Sequence, residues 1–324
     1  MSGNAHAASN PKHGSDNGML LSVVLSARDD CSIVSEGISA LDDQGPLTEK
    51  IEILVLDLGS KTGVLRKQLS DFDLPPGTQI IEGEARGEAS ARNRAAEVAS
   101  ADIVAFLDAS TVPLGGWAAK LLDAFAGRMD TGVVGGAVDP IWPDAPPTWW
   151  TEQLSMHFGL IDLGTQQRSV ADPELLATTN IAFRKPMMAR IGGFDTTLDT
   201  LPATCCKPAA FHLAALSRTG IGAVYEPDAR ALRRIPRHEA SQDWVRRSIC
   251  WSAVMAAAKR SSTSADPIRT WRDISDYLIE IPRELRGLRG LFLDRPEAEI
   301  FASQCDALAA MTRLALSDGS DPKI

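Results

Sequence analysis

The sequence predicts an α/β protein: an open, mostly parallel sheet flanked by helices, followed by a helical C-terminal extension. Two observations carry this. Short apolar runs alternate with segments of helical character, and two of the runs end on acidic residues, Asp57 and Asp108. In open parallel sheets ligands sit beyond the carboxyl ends of the strands. Asp57 and Asp108 are therefore expected at one crevice, and the pattern alone reads as nucleotide-binding.

Taken in order, residues 20–26 are a buried first strand between polar flanks, and 31–43 form a helix. Residues 51–57 make a second strand, turned at Gly59-Ser60. A helix over 61–70, the Pro75-Pro76-Gly77 break and a short strand at 79–81 follow. The Ala-rich stretch 88–99 is helical, 103–107 is a strand running to Asp108, and 115–127 is a helix. Residues 133–138 form a strand with central glycines, and 140–150 are rich in Pro and Trp. A loop and strand at 173–184, a short helix at 186–191 and a Gly192-Gly193-Phe194-Asp195 turn come next. Then come a helix at 208–219, a strand at 221–225, an amphipathic helix at 239–260 and weaker helices through 267–315.

Composition narrows the class. With 324 residues, 44% hydrophobic and 23% charged, the chain is long enough for a substantial core. No apolar run reaches the roughly 18 residues of a membrane span. Residues 1–18 read as a disordered tail without the apolar stretch of a secretory signal, 19–260 as the main domain and 261–324 as the extension. Five scattered cysteines without Cys-X-X-Cys spacing are expected as reduced thiols, which suits a cytoplasmic protein. The net charge of −9 argues against nucleic acid as a partner. Residues 230–295 nevertheless hold 14 Lys/Arg against 8 Asp/Glu. That basic third is a candidate surface for anionic lipid, on the inner face of a membrane, or for an acidic partner protein.

Several segments in this order resemble glycosyltransferase family 2, whose fold is GT-A. They are Leu21-Ser-Val-Val-Leu-Ser26, Leu56-Asp57-Leu58-Gly59-Ser60, Gly87 through Ala91-Arg92-Asn93, and Phe106-Leu107-Asp108 leading to Trp117. Asn180-Ile-Ala-Phe-Arg184 followed by Ile191-Gly-Gly-Phe-Asp195 completes the set. Trp149-Trp150, Ile161-Asp-Leu-Gly164 and the Ile235-Pro236 to Arg246-Arg247 stretch resemble bacterial members that build polysaccharides.

The resemblance implies an inverting transfer of a sugar from a UDP- or GDP-linked donor to a polysaccharide or lipid-linked acceptor. It implies that Asp57, Arg92, Asn93 and Asp108 serve the nucleotide side. It implies that Asn180, Arg184 and Asp195 serve the sugar or acceptor side. Trp149 and Trp150, after a Pro-Pro turn, are candidates to stack on an acceptor sugar. The family commonly uses a divalent metal, Mn or Mg, held by an Asp-X-Asp motif. Here the second position is Ser110, a neutral hydroxyl where hard cations favour charged oxygen.

Other positions depart as well. Leu58 replaces a second Asp in the turn after the second strand, and Pro208-Ala209 fall where a Glu-Asp pair would supply the base. The metal-site His falls near Leu232, beside Arg233-Arg234, whose guanidiniums offer an electrostatic substitute for a cation. Asp199 and His212 are the weak candidates for a displaced base. Two readings therefore stand: a transferase with a degenerate or metal-independent site, and a non-catalytic pseudo-glycosyltransferase that binds a partner or a glycan.

Overall fold

The computed structural model describes residues 18–27, 32–58, 64–82, 87–126, 128–171, 176, 178–194, 196, 199, 219–259 and 274–317. Nine strands form one sheet, in the order β3-β2-β1-β4-β8-β6-β9-β5, with β7 also paired to β9. The strands are β1 (Leu21–Ala27), β2 (Ile51–Asp57), β3 (Gln79–Glu82), β4 (Ile103–Asp108), β5 (Thr111–Pro113), β6 (Thr131–Ile141), β7 (Arg168–Ser169), β8 (Asn180–Arg184) and β9 (Gly222–Arg234). The helices are α1 (Ser32–Asp42), α2 (Val64–Leu69), α3 (Glu88–Val98), α4 (Trp117–Phe125), α5 (Lys185–Arg190), α6 (Gln242–Lys259) and α7 (Ala298–Ser317).

β3, β2, β1 and β4 run parallel, joined by the helices that the apolar–acidic alternation predicts. β8 then enters antiparallel between β4 and β6. The alternation of side chains along a strand divides the core into two layers. Leu21, Val23 and Leu25 of β1 face α1 and α4, with Ile53 and Val55 of β2 and Trp117, Leu121 and Phe125 of α4. Val24, Leu54, Leu56, Val104 and Phe106 face the other way, onto the alanines of α3, Phe183 and Phe194.

Two elements differ from the sequence expectation. β9 is 13 residues long, whereas Pro227-Asp228 reads as the end of a short strand. The register with β6 slips here: Glu226 faces Gly136 and Ala231 faces Val138. The bulge absorbs the proline without ending the strand. The strand then continues to Arg233 and pairs with β5, a strand that sequence pattern does not reveal. The helix expected at 208–219 lies outside the described residues.

The C-terminal region is helical as expected. α7 lies against α6 and caps a satellite core of Ile281, Leu285, Leu291 and Ala307. Arg246 of α6 is buried there: it pairs with Asp294 at 2.8 Å, donates to the Leu293 carbonyl and lies over the Phe301 ring. α6 thus presents a buried face of Val245, Arg246 and Ile249.

Candidate functional site

β1 sets the geometry of the crevice. Its Ser26 is level with Asp108 of β4, and its Ala27 is level with Asp57 of β2. The two aspartates end strands on either side of β1, two strand spacings or about 10 Å apart. Both strands end at one edge of the sheet, as expected, but by the alternation that sorts the core Asp108 continues the α3 face after Phe106 and Asp57 the α1 face after Val55, so the two side chains leave the sheet on opposite faces.

Asp108 stands between two arginines. Arg92 Nη2 is 3.4 Å from Asp108 Oδ1 and 2.5 Å from Glu88 Oε1. Arg92 is 1% exposed, and its guanidinium also lies over the rings of Phe106 and Phe194. From the opposite side, Arg233 Nε is 3.9 Å from Asp108 Oδ2. Arg233 Nη1 donates to the Phe158 carbonyl at 2.7 Å and to Glu239 at 2.9 Å. Arg233 Nε, and Arg92 Nε and Nη1, are buried donors with no hydrogen-bond partner among the described residues. Buried donors are normally paired, so these three are unmet donors on the two guanidiniums that approach Asp108.

Glu88 enters this site unannounced by any motif. Burial raises its carboxyl above the ordinary value, and Asp108 and Asp199 push the same way, while Arg92 pulls it down. Its spacing of four residues before Arg92 on one helix is the signal that could have found it.

Among the described residues the donor set does not fit a divalent cation. Glu88 and Asp108 converge, but the Arg92 guanidinium already joins them, and Arg233 takes the other face of Asp108. No group of three His, Cys, Asp or Glu side chains suited to a metal occurs among the described residues. Ser110 uses its carbonyl to accept from the Arg234 amide at 2.8 Å, at the end of the β5–β9 pairing. Arg234 itself points outward to Glu36 at 2.7 Å, so of the two adjacent arginines Arg233 faces the crevice. Leu58 packs against the core layer of α3.

The other expected site residues separate into groups. Asn93 is bound by both side-chain atoms to the Phe194 backbone, at 2.6 and 2.8 Å, and locks the 192–194 turn onto α3. Asn180 is fully buried: its amide donates to the carbonyls of Ala137 and Ala229, and its oxygen accepts from Trp117 Nε1 at 2.9 Å. A Cβ on Gly136 would lie 2.4 Å from the Asn180 amide nitrogen, so the backbone approach here requires glycine. Asn93, expected on the nucleotide side, and Asn180, expected on the sugar side, thus both have side-chain hydrogen bonds engaged within the protein.

Arg184 is not brought to the crevice. β8 runs antiparallel to β4, which places Asn180 beside Leu107 but Arg184 beside Ile103, about 13 Å further down the strand. There it donates to the Phe125 and Thr131 carbonyls. Trp149 packs edge-on against Phe301 of α7, and Trp150 against Trp142. Both tryptophans belong to an aromatic cluster around Phe158 that also borders Arg233. Asp195 and His212 lie outside the described residues.

Asp199, weighed as a base, serves as a helix cap. Its carboxylate accepts from the amides of Ala89 and Ser90 at 2.8 and 2.9 Å, and from Ser90 Oγ. Gly87, at φ 127°, makes room for it: a Cβ there would sit 2.4 Å from the Asp199 carboxyl carbon. The carboxylate thereby satisfies the free amides of the first turn.

A largely parallel sheet whose strands end on acidic residues at one edge is the arrangement of a nucleotide-binding α/β protein. Residues 22–190 match the model of glycosyl transferase family 2, and the chain belongs to that family. Among its relatives is the glucosyl-dolichyl phosphate glucuronosyltransferase of Haloferax volcanii, 23% identical over 201 residues, 61% of this chain and 63% of that protein. Glycosyltransferase AglE of the same archaeon is 26% identical over 183 residues, 55% of this chain and 57% of that protein. The matches span less than two thirds of either relative, and neither relative is bacterial.

The fold is GT-A. The chain resembles mannosyltransferase PcManGT from Pyrobaculum calidifontis in complex with GDP-Man and Mn2+, with TM-score 0.59 and 17% identity over 93% of this chain and 88% of that one. It also resembles GalNAc-T7 with UDP, GalNAc and Mn2+, with TM-score 0.56 and 14% identity over 93% of this chain and 57% of that one. At these identities the likeness concerns fold alone.

Proposed function

We propose that this chain transfers a sugar from a UDP- or GDP-linked donor to a lipid-linked or polysaccharide acceptor, using guanidinium groups in place of a metal ion. The observation that carries this is the pair Arg92 and Arg233 on either side of Asp108, with unpaired N–H donors. An acceptor hydroxyl attacks the anomeric carbon, the bond to the diphosphate breaks, and negative charge grows on the leaving nucleoside diphosphate. A buried guanidinium already fixed by Phe158 and Glu239 can meet that charge without reorganising. The proton acceptor is not assigned. The GT-A domain is read as 19–260 with 261–324 as its extension, and the protein as peripheral to the membrane that holds the acceptor.

The test is calorimetric titration with UDP and GDP, each with manganese and with EDTA, followed by donor turnover under the same two conditions. Binding and turnover indifferent to EDTA support the reading. Binding that requires manganese refutes the guanidinium role.

A second reading, a non-catalytic glycosyltransferase-like subunit, is favoured by one observation. Asp199 is engaged as a helix cap, so that candidate carboxylate is not placed to take a proton. Nucleotide binding without turnover of any UDP- or GDP-sugar would select this reading.

A further inference from the structure

Ten large hydrophobic side chains are exposed among the described residues, and four of them fall between 279 and 293. Ile279 is 62% exposed, Leu288 64%, Phe292 51% and Leu293 44%. The same segment has a well-formed inner side, where Ile281, Leu285 and Leu291 fill the satellite core under α7. Leu288 and Phe292 are one helical turn apart, so they share the outer side of the short turn whose inner side holds Leu291. The segment therefore sorts its apolar residues into a buried set and an outward set.

Among the described residues, the unpaired positive charge of the basic third falls in the same place. Arg234 pairs with Glu36, Arg237 with Asp144, Arg246 with Asp294, Arg247 with Asp243 and Arg295 with Glu297. Arg283 and Arg289 are exposed and have no ion-pair partner among the described residues. Arg286 donates to the carbonyls of Ile281 and Ile279, which folds the segment back on itself and leaves its charge without a carboxylate. Glu280 and Glu284 share the segment, and the three guanidiniums exceed them. This local excess stands on a chain of net charge −9.

We infer that the outward side of residues 279–293 docks on an anionic lipid bilayer, Ile279, Leu288, Phe292 and Leu293 entering the interface and Arg283, Arg286 and Arg289 meeting lipid phosphates. No helix among the described residues is long and apolar enough to cross a membrane, so the attachment is to the surface. Apolar side chains flanked by arginines suit the headgroup boundary, where long cationic stems reach the phosphates. The inference rests on the peripheral placement proposed above and names the surface responsible.

The experiment is co-sedimentation of the full chain with vesicles of phosphatidylcholine alone and with about one third phosphatidylglycerol. The chain is expected to bind anionic vesicles at least about tenfold more tightly than neutral ones. Leu288→Ser with Phe292→Ser is expected to weaken that binding about tenfold or more, and Arg283→Gln with Arg289→Gln to remove most of the preference for anionic lipid. Unchanged melting temperature and nucleotide titration show that these variants remain folded. Wild type that ignores anionic vesicles, or a serine variant that binds them like wild type, overturns the inference. So does a dimer in sedimentation velocity that the serine variant dissolves while vesicle binding is absent. Loss of nucleotide binding with vesicle binding intact would instead count against the transferase reading alone.

Discussion

Arg233 Nε lies 3.9 Å from Asp108 Oδ2, on the side of the carboxylate opposite Arg92. β9 delivers this arginine because it continues past its bulge and pairs with β5, level with Thr111. Asp108 is thereby bracketed by two guanidiniums of the chain itself.

Arg233→Gln is expected to weaken UDP or GDP binding in EDTA by about 10- to 100-fold, the worth of one charge-assisted hydrogen bond of ~1.5–3 kcal/mol. The substitution also strips Glu239 of its buried partner. The double variant Arg233→Gln, Glu239→Gln removes that complication. Calorimetry on both variants checks the expectation, and unchanged affinity in the double variant would refute it.

Asn180→Ala removes a side chain that joins Trp117 on α4 to the backbones of β6 and β9. Its loss strands a buried indole N–H and two carbonyls. A cost of ~2–4 kcal/mol is expected, since each unsatisfied buried group costs ~1–3 kcal/mol and some relax. Urea unfolding measures it, and a cost below that range would mean that Asn180 is not the node its bonds describe.

Asp199→Ala should cost ~1 kcal/mol of stability, as for other lost N-terminal caps. Asp199→Ser should recover part of that, because a hydroxyl still accepts from a helix amide. If turnover is detected, the serine variant distinguishes a cap from a base: a cap retains most of the rate, and a base loses nearly all of it. Thermal melts and kcat on the same samples give the answer.

The raised carboxyl of Glu88 carries a sign. Its protonated form is favoured by the fold, so its contribution is fully present below the unfolded value near 4.5. It fades as pH rises through the higher folded value. Relative to Glu88→Gln, the wild type should therefore lose stability as pH climbs from about 4.5. Denaturant midpoints across that range test this, and parallel curves would show that Glu88 titrates normally.

Burial pushes the Cys305 thiol up to about 12. It should remain protonated at pH 8 and resist iodoacetamide while the fold is intact, reacting once urea is added. Mass spectrometry of alkylated peptides reads this directly, and rapid labelling of the native protein would contradict the packing of α7.

Much of the fold was legible because parallel strands announce themselves: buried on both faces, β1, β2 and β4 are continuous apolar runs with an acidic residue at or just beyond the end. β9 was less so, because a Pro-Asp pair that reads as a turn is absorbed by a bulge that only the register with β6 reveals. Of the site, Asp57 and Asp108 stand at strand ends as the pattern expects, though on opposite faces of the sheet, and Arg92, expected from the family resemblance alone, stands beside Asp108. Arg184 does not, because adjacency within a motif says nothing about which edge of an antiparallel strand a residue reaches. A census of charge likewise counted Arg246 toward an outer surface, although Asp294 and Phe301 hold it inside.

The aromatic cluster at 142–158 links α7 to the proposed site. Phe301 of α7 packs on Trp149, Trp149 on Phe158, and the Phe158 carbonyl grips Arg233. A chain cut before α7 would leave those rings facing water and the carbonyl free to drift. The defect would be read as weaker binding at the proposed site although the missing residues never touch it. The terminal helix is in this sense a distant buttress, and deletions made to simplify the protein would remove the alignment of its guanidinium before they removed its fold.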